Sequence, residues 1–185
     1  MDVHVLVPVK RLDEAKSRLA AALSPDERAE LMREMLANVL QAVQGAQVGP
    51  VTVVSAEPLP LNGIARFDDA GLPWNDALEA AMREVVTEQI AAIVSADLPL
   101  LTVDDVQALV AVTPLRGLAI ARAHDGGTNA VSMRPPGLLP THFGESGSAA
   151  VHERSAWTAG ADAHILDRPG LAFDIDTPED LAAWR

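Results

Sequence analysis

The strand-like segments of this chain lack polar alternation, and that constrains the fold more than any other feature. Val3-His4-Val5-Leu6-Val7-Pro8-Val9, Pro50-Val51-Thr52-Val53-Val54-Ser55 and Ile90-Ala91-Ala92-Ile93-Val94 are short, rich in β-branched residues, and free of Asp, Glu, Lys and Arg. A strand with one face in water alternates apolar and polar side chains, whereas a strand covered on both faces reads as a nearly continuous apolar run. Strands of this kind need helices on both sides of their sheet.

Helix signals stand between them. Ser24-Pro25-Asp26-Glu27 joins a capping hydroxyl to a proline at the first helical position and an acid at the third. Behind it, Leu31, Met35, Val39 and Val43 fall on one helical face with Met32, Leu36 and Leu40 beside them, until Gly45 and Gly49 end the helix. Ala77, Leu78, Ala81 and Met82 predict a second amphipathic helix, and Thr102 caps a short third one carrying Val106, Leu109 and Val110. Further strands are predicted at Gly117–Ala123, Ala130–Met133, Ala163–Leu166 and Leu171–Ile175. Helices are expected near Ala149–Trp157 and from Thr177-Pro178 to Trp184. The alternation predicts one α/β domain over residues 1–185, built on a mostly parallel sheet, with an antiparallel edge near residues 120 and 131.

Composition narrows the function classes. The chain has no cysteine, which excludes disulfides, thiolate metal sites and cysteine nucleophiles. Its 14 basic against 26 acidic residues leave a net charge of −12, the wrong sign for a nucleic-acid partner. Met35–Ala56 is uncharged and long enough to suggest a membrane span, but Asn38, Gln41, Gln44, Gln47 and Pro50 oppose one. No export signal precedes Lys10, so a cytoplasmic protein is expected.

In open parallel sheets, ligands bind beyond the carboxyl ends of the strands. The first such loop holds Lys10, Arg11, Lys16 and Arg18 without a glycine, so it is neither a P-loop nor a dinucleotide fingerprint. Four cations at a strand end are able to hold a polyphosphate by charge; the plainer alternative is a solvated turn. Asp97, just past the strand at residues 90–94, must be paired, hydrogen-bonded or metal-bound, or else serves as a turn cap. Asp174 and Asp176 stand two apart, on one face of an extended segment, where hard oxygen ligands suit Mg²⁺ or Mn²⁺; capping of the next helix is the competing role for Asp176. Asp125-Gly126-Gly127-Thr128-Asn129 is a hairpin turn by composition. Phe143–Ser148 precedes a helix and is able to hold an anion there or simply cap it. The five histidines show no metal spacing.

Together these segments resemble the nucleotidyltransferases that guanylylate 2-phospho-L-lactate or phosphoenolpyruvate in coenzyme F-420 biosynthesis. The resemblance rests on Val7-Pro8-Val9-Lys10, Ala15-Lys16-Ser17-Arg18-Leu19, Ala96-Asp97-Leu98-Pro99, Asp125–Ala130, Phe143-Gly144 with Ser148 and His152, and Asp174–Leu181. It implies a Rossmann-like nucleotidyltransferase fold, GTP and Mg²⁺ (or Mn²⁺) as requirements, and a small phosphorylated carboxylic acid as acceptor. On this resemblance Asp97, Asp174 and Asp176 hold the metal, while Lys10, Lys16 and Arg18 hold the β- and γ-phosphates. Thr128, Gly144 and Ser148 seat the acceptor, and Asn75 is the matching base contact. The sequence departs from the family at Pro73-Trp74 and by an extra residue before Ser148. Molybdenum-cofactor and sugar-phosphate nucleotidyltransferases are the runners-up, and the former's glycine-rich first loop is missing here. A silent nucleotide-binding module on the same fold is the rival from another class. Asp97 and Asp174 are both expected to follow strands ending at one edge of the sheet.

Overall fold

The computed structural model describes residues 2–10 and 16–185. Arg11, with the rest of 11–15, lies outside them. The chain forms β1 (Val3–Pro8), β2 (Val51–Val54), β3 (Ala65–Phe67), β4 (Ile90–Val94), β5 (Gly117–Arg122), β6 (Thr128–Arg134) and β7 (Asp162–Leu166). They make one sheet in the order β3-β2-β1-β4-β6-β5-β7. β6 runs antiparallel to both of its neighbours, β4 and β5, and every other pairing is parallel.

Among the described residues the sheet is covered by the helices α1 (Pro25–Gly45), α2 (Trp74–Val85), α3 (Val103–Ala111), α4 (Ser148–Thr158), α5 (Pro169–Ala172) and α6 (Pro178–Trp184). The two-residue period of β1 divides the core. Val3, Val5 and Val7 pack with α1 and α3 on one face, and Leu6 packs with α2 and α4 on the other. All six residues of β1 are buried, as the missing alternation requires. Ser24 and Glu27 form the capping box that starts α1: the Glu27 amide donates to Ser24 Oγ, and the Ser24 amide donates to Glu27 Oε2 at 2.8 Å. Among the described residues no helix is long and apolar enough to cross a membrane. The uncharged stretch 35–56 is divided between α1, a turn and β2.

Two expectations need correction. Leu171–Ile175 is not a strand. Pro169 opens the single turn α5 instead, and Arg168 is ion-paired to the buried Asp105 of α3. Gly170 fits so closely against α3 that a Cβ there would meet the Asp105 carboxylate and the Leu100 carbonyl. Leu171 and Ile175 are both fully buried, so the apolar run was core, but with a helical turn inside it. The antiparallel strand, expected at an edge, sits inside the sheet, because β5 and β6 are buried nearly throughout and each needs a neighbour on both sides. The edges are β7 and the three-residue β3, whose exposed Ala65-Arg66 offers no strand pattern in the sequence.

Candidate active site

β1 and β4 end at one edge of the sheet, and β6, running the other way, begins there. The register places Ala130 opposite Val94, and the Ser95 amide donates to the Asn129 carbonyl at 2.9 Å. Residues 8–10, 95–97 and 128–129 therefore meet around one cleft of about 420 Å³. The Phe143–Ser148 segment and the Asp174/Asp176 loop complete its walls.

One end of the cleft is charged. Ligand oxygens of Asp97, Asp174 and Asp176 all lie within 4.8 Å of one another. Lys16 Nζ bridges two of these acids, at 2.5 Å from Asp97 and 2.7 Å from Asp176, with only 5% of its side chain exposed. Arg18, far more exposed, reaches Asp176 at 3.6 Å. Lys16 holds its proton more tightly than a free lysine: burial alone opposes the charge, but the Asp97 and Asp176 carboxylates outweigh it. Asp174 goes the other way for a carboxyl, pushed up to about 6 by burial and then by the Asp97 charge. Two groups hold Asp174 in place. Asn129 donates from Nδ2 both to Asp174 Oδ1 at 3.2 Å and to the Leu171 carbonyl at 3.0 Å. His124 Nδ1 lies 3.4 Å from the same carboxyl, and its Nε2 lies 3.3 Å from Asp180.

At the other end the buried groups are neutral. Ser148 Oγ donates to Thr128 Oγ1 at 2.9 Å, and His152 Nδ1 lies 3.1 Å from the same Thr128 oxygen. The His142 amide donates to His152 Nε2 at 3.0 Å. His152 is fully buried, and that burial lowers its pKa to about 4, with His142 adding to the effect.

Lys10, Lys16, Arg18, Asp97, Thr128, Gly144, Ser148, Asp174 and Asp176 all line the cleft. Asn75 does not. Its Oδ1 accepts from the Phe143 amide at 2.9 Å and its Nδ2 donates to the Phe143 carbonyl at 3.2 Å, so both ends of the amide clamp the neighbouring loop. Trp74, the residue that breaks the family pattern, lines the cleft instead, with Lys10 Nζ 4.9 Å from its ring centre. Asp174 is delivered by the loop after α5 rather than by a strand. The sequence assigns no role of their own to Asn129, His124 and His152, because those roles arise only where separate segments meet. Asn129 stood inside the turn motif and His152 beside the Phe-Gly segment, which was the only signal available.

The family described as "Guanylyl transferase CofC like" matches residues 3–184. The chain belongs to that family. Phosphoenolpyruvate guanylyltransferase of Sphaerobacter thermophilus is 44% identical to it over 98% of this chain and 91% of the relative. The 2-phospho-L-lactate guanylyltransferase of Haloarcula marismortui is 38% identical over 90% of this chain and 78% of its own. A nucleotidyl transferase from Methanothermobacter thermautotroptrophicus shares the fold, with a TM-score of 0.72 at 17% identity over 99% of this chain and 95% of that one. As a member of this family the chain is a nucleotidyltransferase, built on a Rossmann-like sheet.

Proposed function

We propose that the protein transfers GMP from GTP to the phosphate of phosphoenolpyruvate or 2-phospho-L-lactate and releases pyrophosphate. An acceptor phosphate oxygen forms the new bond to the α-phosphorus of GTP, and the bond from that phosphorus to the β-phosphate bridging oxygen breaks. A phosphate monoester has a second pKa near ~6, so at pH 7 the nucleophile is already anionic and needs no strong general base. Repulsion between two polyanions is the difficulty that remains.

The observation that carries this reading is the meeting of three carboxylates, two cations and a neutral polar seat in one cleft. The acid cluster fits a divalent cation. Among the described residues the three carboxylates face Lys16, the more distant Arg18 and, at Asp174, His124, while burial and the Asp97 charge push Asp174 up to about 6. Asp97, Asp174 and Asp176 are the residues that would hold Mg²⁺ or Mn²⁺, which when bound supplies Lewis-acid neutralisation of phosphate charge. Lys10, Lys16 and Arg18 would meet the β- and γ-phosphates and the charge that develops on the leaving pyrophosphate. Thr128, Gly144 and Ser148 would seat the acceptor.

The test is incubation with GTP, Mg²⁺ and, in turn, phosphoenolpyruvate, 2-phospho-L-lactate and 3-phosphoglycerate, reading pyrophosphate and the mass of the product. Pyrophosphate with one of the first two, and a guanylylated product of matching mass, is the expected result. No pyrophosphate with any acceptor would overturn the reading in favour of a silent nucleotide-binding module.

A further inference from the structure

At the neutral end of the cleft, the hydrogen bonds leave one proton unassigned. A backbone N–H is always a donor, so the His142 amide at 3.0 Å makes His152 Nε2 an acceptor without a proton. The neutral ring then carries its proton on Nδ1 and donates it toward Thr128 Oγ1 at 3.1 Å. Ser148 Oγ donates to the same oxygen at 2.9 Å. A threonine hydroxyl has two lone pairs, and both are now filled. Thr128 can meet a further partner only as a donor. Thr128 and Ser148 are both buried, and both line the cleft.

We infer that His152 is a positioning residue: through its Nδ1–H it fixes the polarity of Thr128, so that the seat presents an outward O–H to an oxygen that only accepts. The inference rests on the proposed seating of the acceptor by Thr128 and Ser148. At Thr128 that polarity favours an ionised carboxylate or phosphate oxygen and opposes a hydroxyl that must itself donate. Burial keeps the ring neutral, with a pKa of about 4, so the arrangement holds at pH 7. A protonated ring would have to donate from Nε2 into the His142 amide, which cannot accept.

Three measurements on the full chain test this. In ¹⁵N-labelled protein at pH 7, the His152 ring should show the Nδ1–H tautomer; the Nε2–H form or an imidazolium would overturn the inference. Calorimetric titration with phosphoenolpyruvate in the presence of Mg²⁺ should show binding to the wild type, weakened on the order of 10- to 100-fold in His152→Phe, the scale of one hydrogen bond to a charged group. His152→Asn, which puts an amide N–H near the lost one, should recover most of that loss. In a Thr128→Val background, His152→Phe should add nothing further. If His152→Phe does not fold, the tautomer and the His152→Asn and Thr128→Val affinities decide. Equal affinity in wild type and His152→Phe, or a further loss in the Thr128→Val background, would overturn the inference. The turnover assay separates the two ideas. Phosphoenolpyruvate bound with the expected pattern but no pyrophosphate formed overturns guanylyl transfer alone; pyrophosphate with an indifferent His152 overturns the positioning role alone. Binding of neither phosphoenolpyruvate nor 2-phospho-L-lactate to the wild type, with no pyrophosphate from either, overturns both.

Discussion

The two ends of one cleft solve the problem of buried polarity in opposite ways. At the charged end, three carboxylates face a lysine and an arginine, and Asp174 is raised to about 6 because burial and a neighbouring charge both penalise its ionisation. At the neutral end, a backbone amide sets one imidazole tautomer, and the imidazole sets a hydroxyl. The first end stays responsive to cations and to pH. The second is set by covalent geometry, since an amide proton can neither leave nor turn. The proposed reaction, which brings two polyanions together and reads a small acceptor, would gain from both.

The largest effects should come from breaking the charged end. Replacing Asp97, Asp174 or Asp176 by Asn removes one carboxylate from the proposed metal site, and turnover should fall about 10²–10³-fold. Stability separates the three. Asp174→Asn relieves repulsion, so the metal-free melting temperature should hold or rise. Asp97→Asn and Asp176→Asn each remove one of Lys16's two ion-pair partners, so both should melt lower. Calorimetry and pyrophosphate release on the same three variants check this. Equal destabilisation by all three would contradict the distinction.

The pH dependence of stability offers a finer comparison. Asp174 titrates near 6 in the folded chain and 3.8 when unfolded, so folding takes up protons between those values. Its stabilisation is complete below about 4 and is lost as the pH rises through 6. His152 titrates near 4 when folded and 6.5 when unfolded, so its contribution is lost as the pH falls from 6.5 toward 4. In the wild type the two slopes oppose each other across one window. Relative to the wild type without metal, Asp174→Asn should therefore gain stability as the pH rises from 4 to 6.5, and His152→Phe should lose it. Denaturant midpoints at several pH values measure both slopes, and slopes of the same sign would break the contrast.

A smaller effect is expected at Asn129, which reaches from β6 to the acid loop. Asn129→Ala loses the hydrogen bonds to the Leu171 carbonyl and Asp174, at a cost of about 1–3 kcal/mol. Because the Asn129 bond favours the ionised acid, Asp174 should titrate still higher in the variant. The smallest change in stability should follow Lys10→Ala. This exposed side chain contributes its stacking on Trp74, worth about 0.5–1 kcal/mol at such a site. Its effect should appear mainly as a raised KM for GTP, read from initial rates at fixed acceptor.

The sequence by itself determined the covered sheet, the caps and most of the site. Runs such as Ile90–Val94 tolerate only a doubly covered strand, and Ser24 and Thr102 each start a helix with local hydrogen bonds alone. Asp97, Asp174, Asp176, Thr128 and Ser148 were all legible because each sits in a short motif next to an element end. Tertiary structure alone decided the rest. The hairpin turn sets the direction of β6, but its place beside β4 depends on long-range pairing, and that placement brings Thr128 and Asn129 to the edge where β1 and β4 end. The turn at α5 replaced an expected strand because α3, some sixty residues earlier in the chain, supplies the buried Asp105 that holds Arg168. Asn75 was drawn from the cleft to a neighbouring loop for the same reason: a side-chain amide goes where backbone partners stand. Local pattern settles what a segment becomes; which polar groups meet depends on contacts between residues far apart in the chain, and those exist only once the chain has folded.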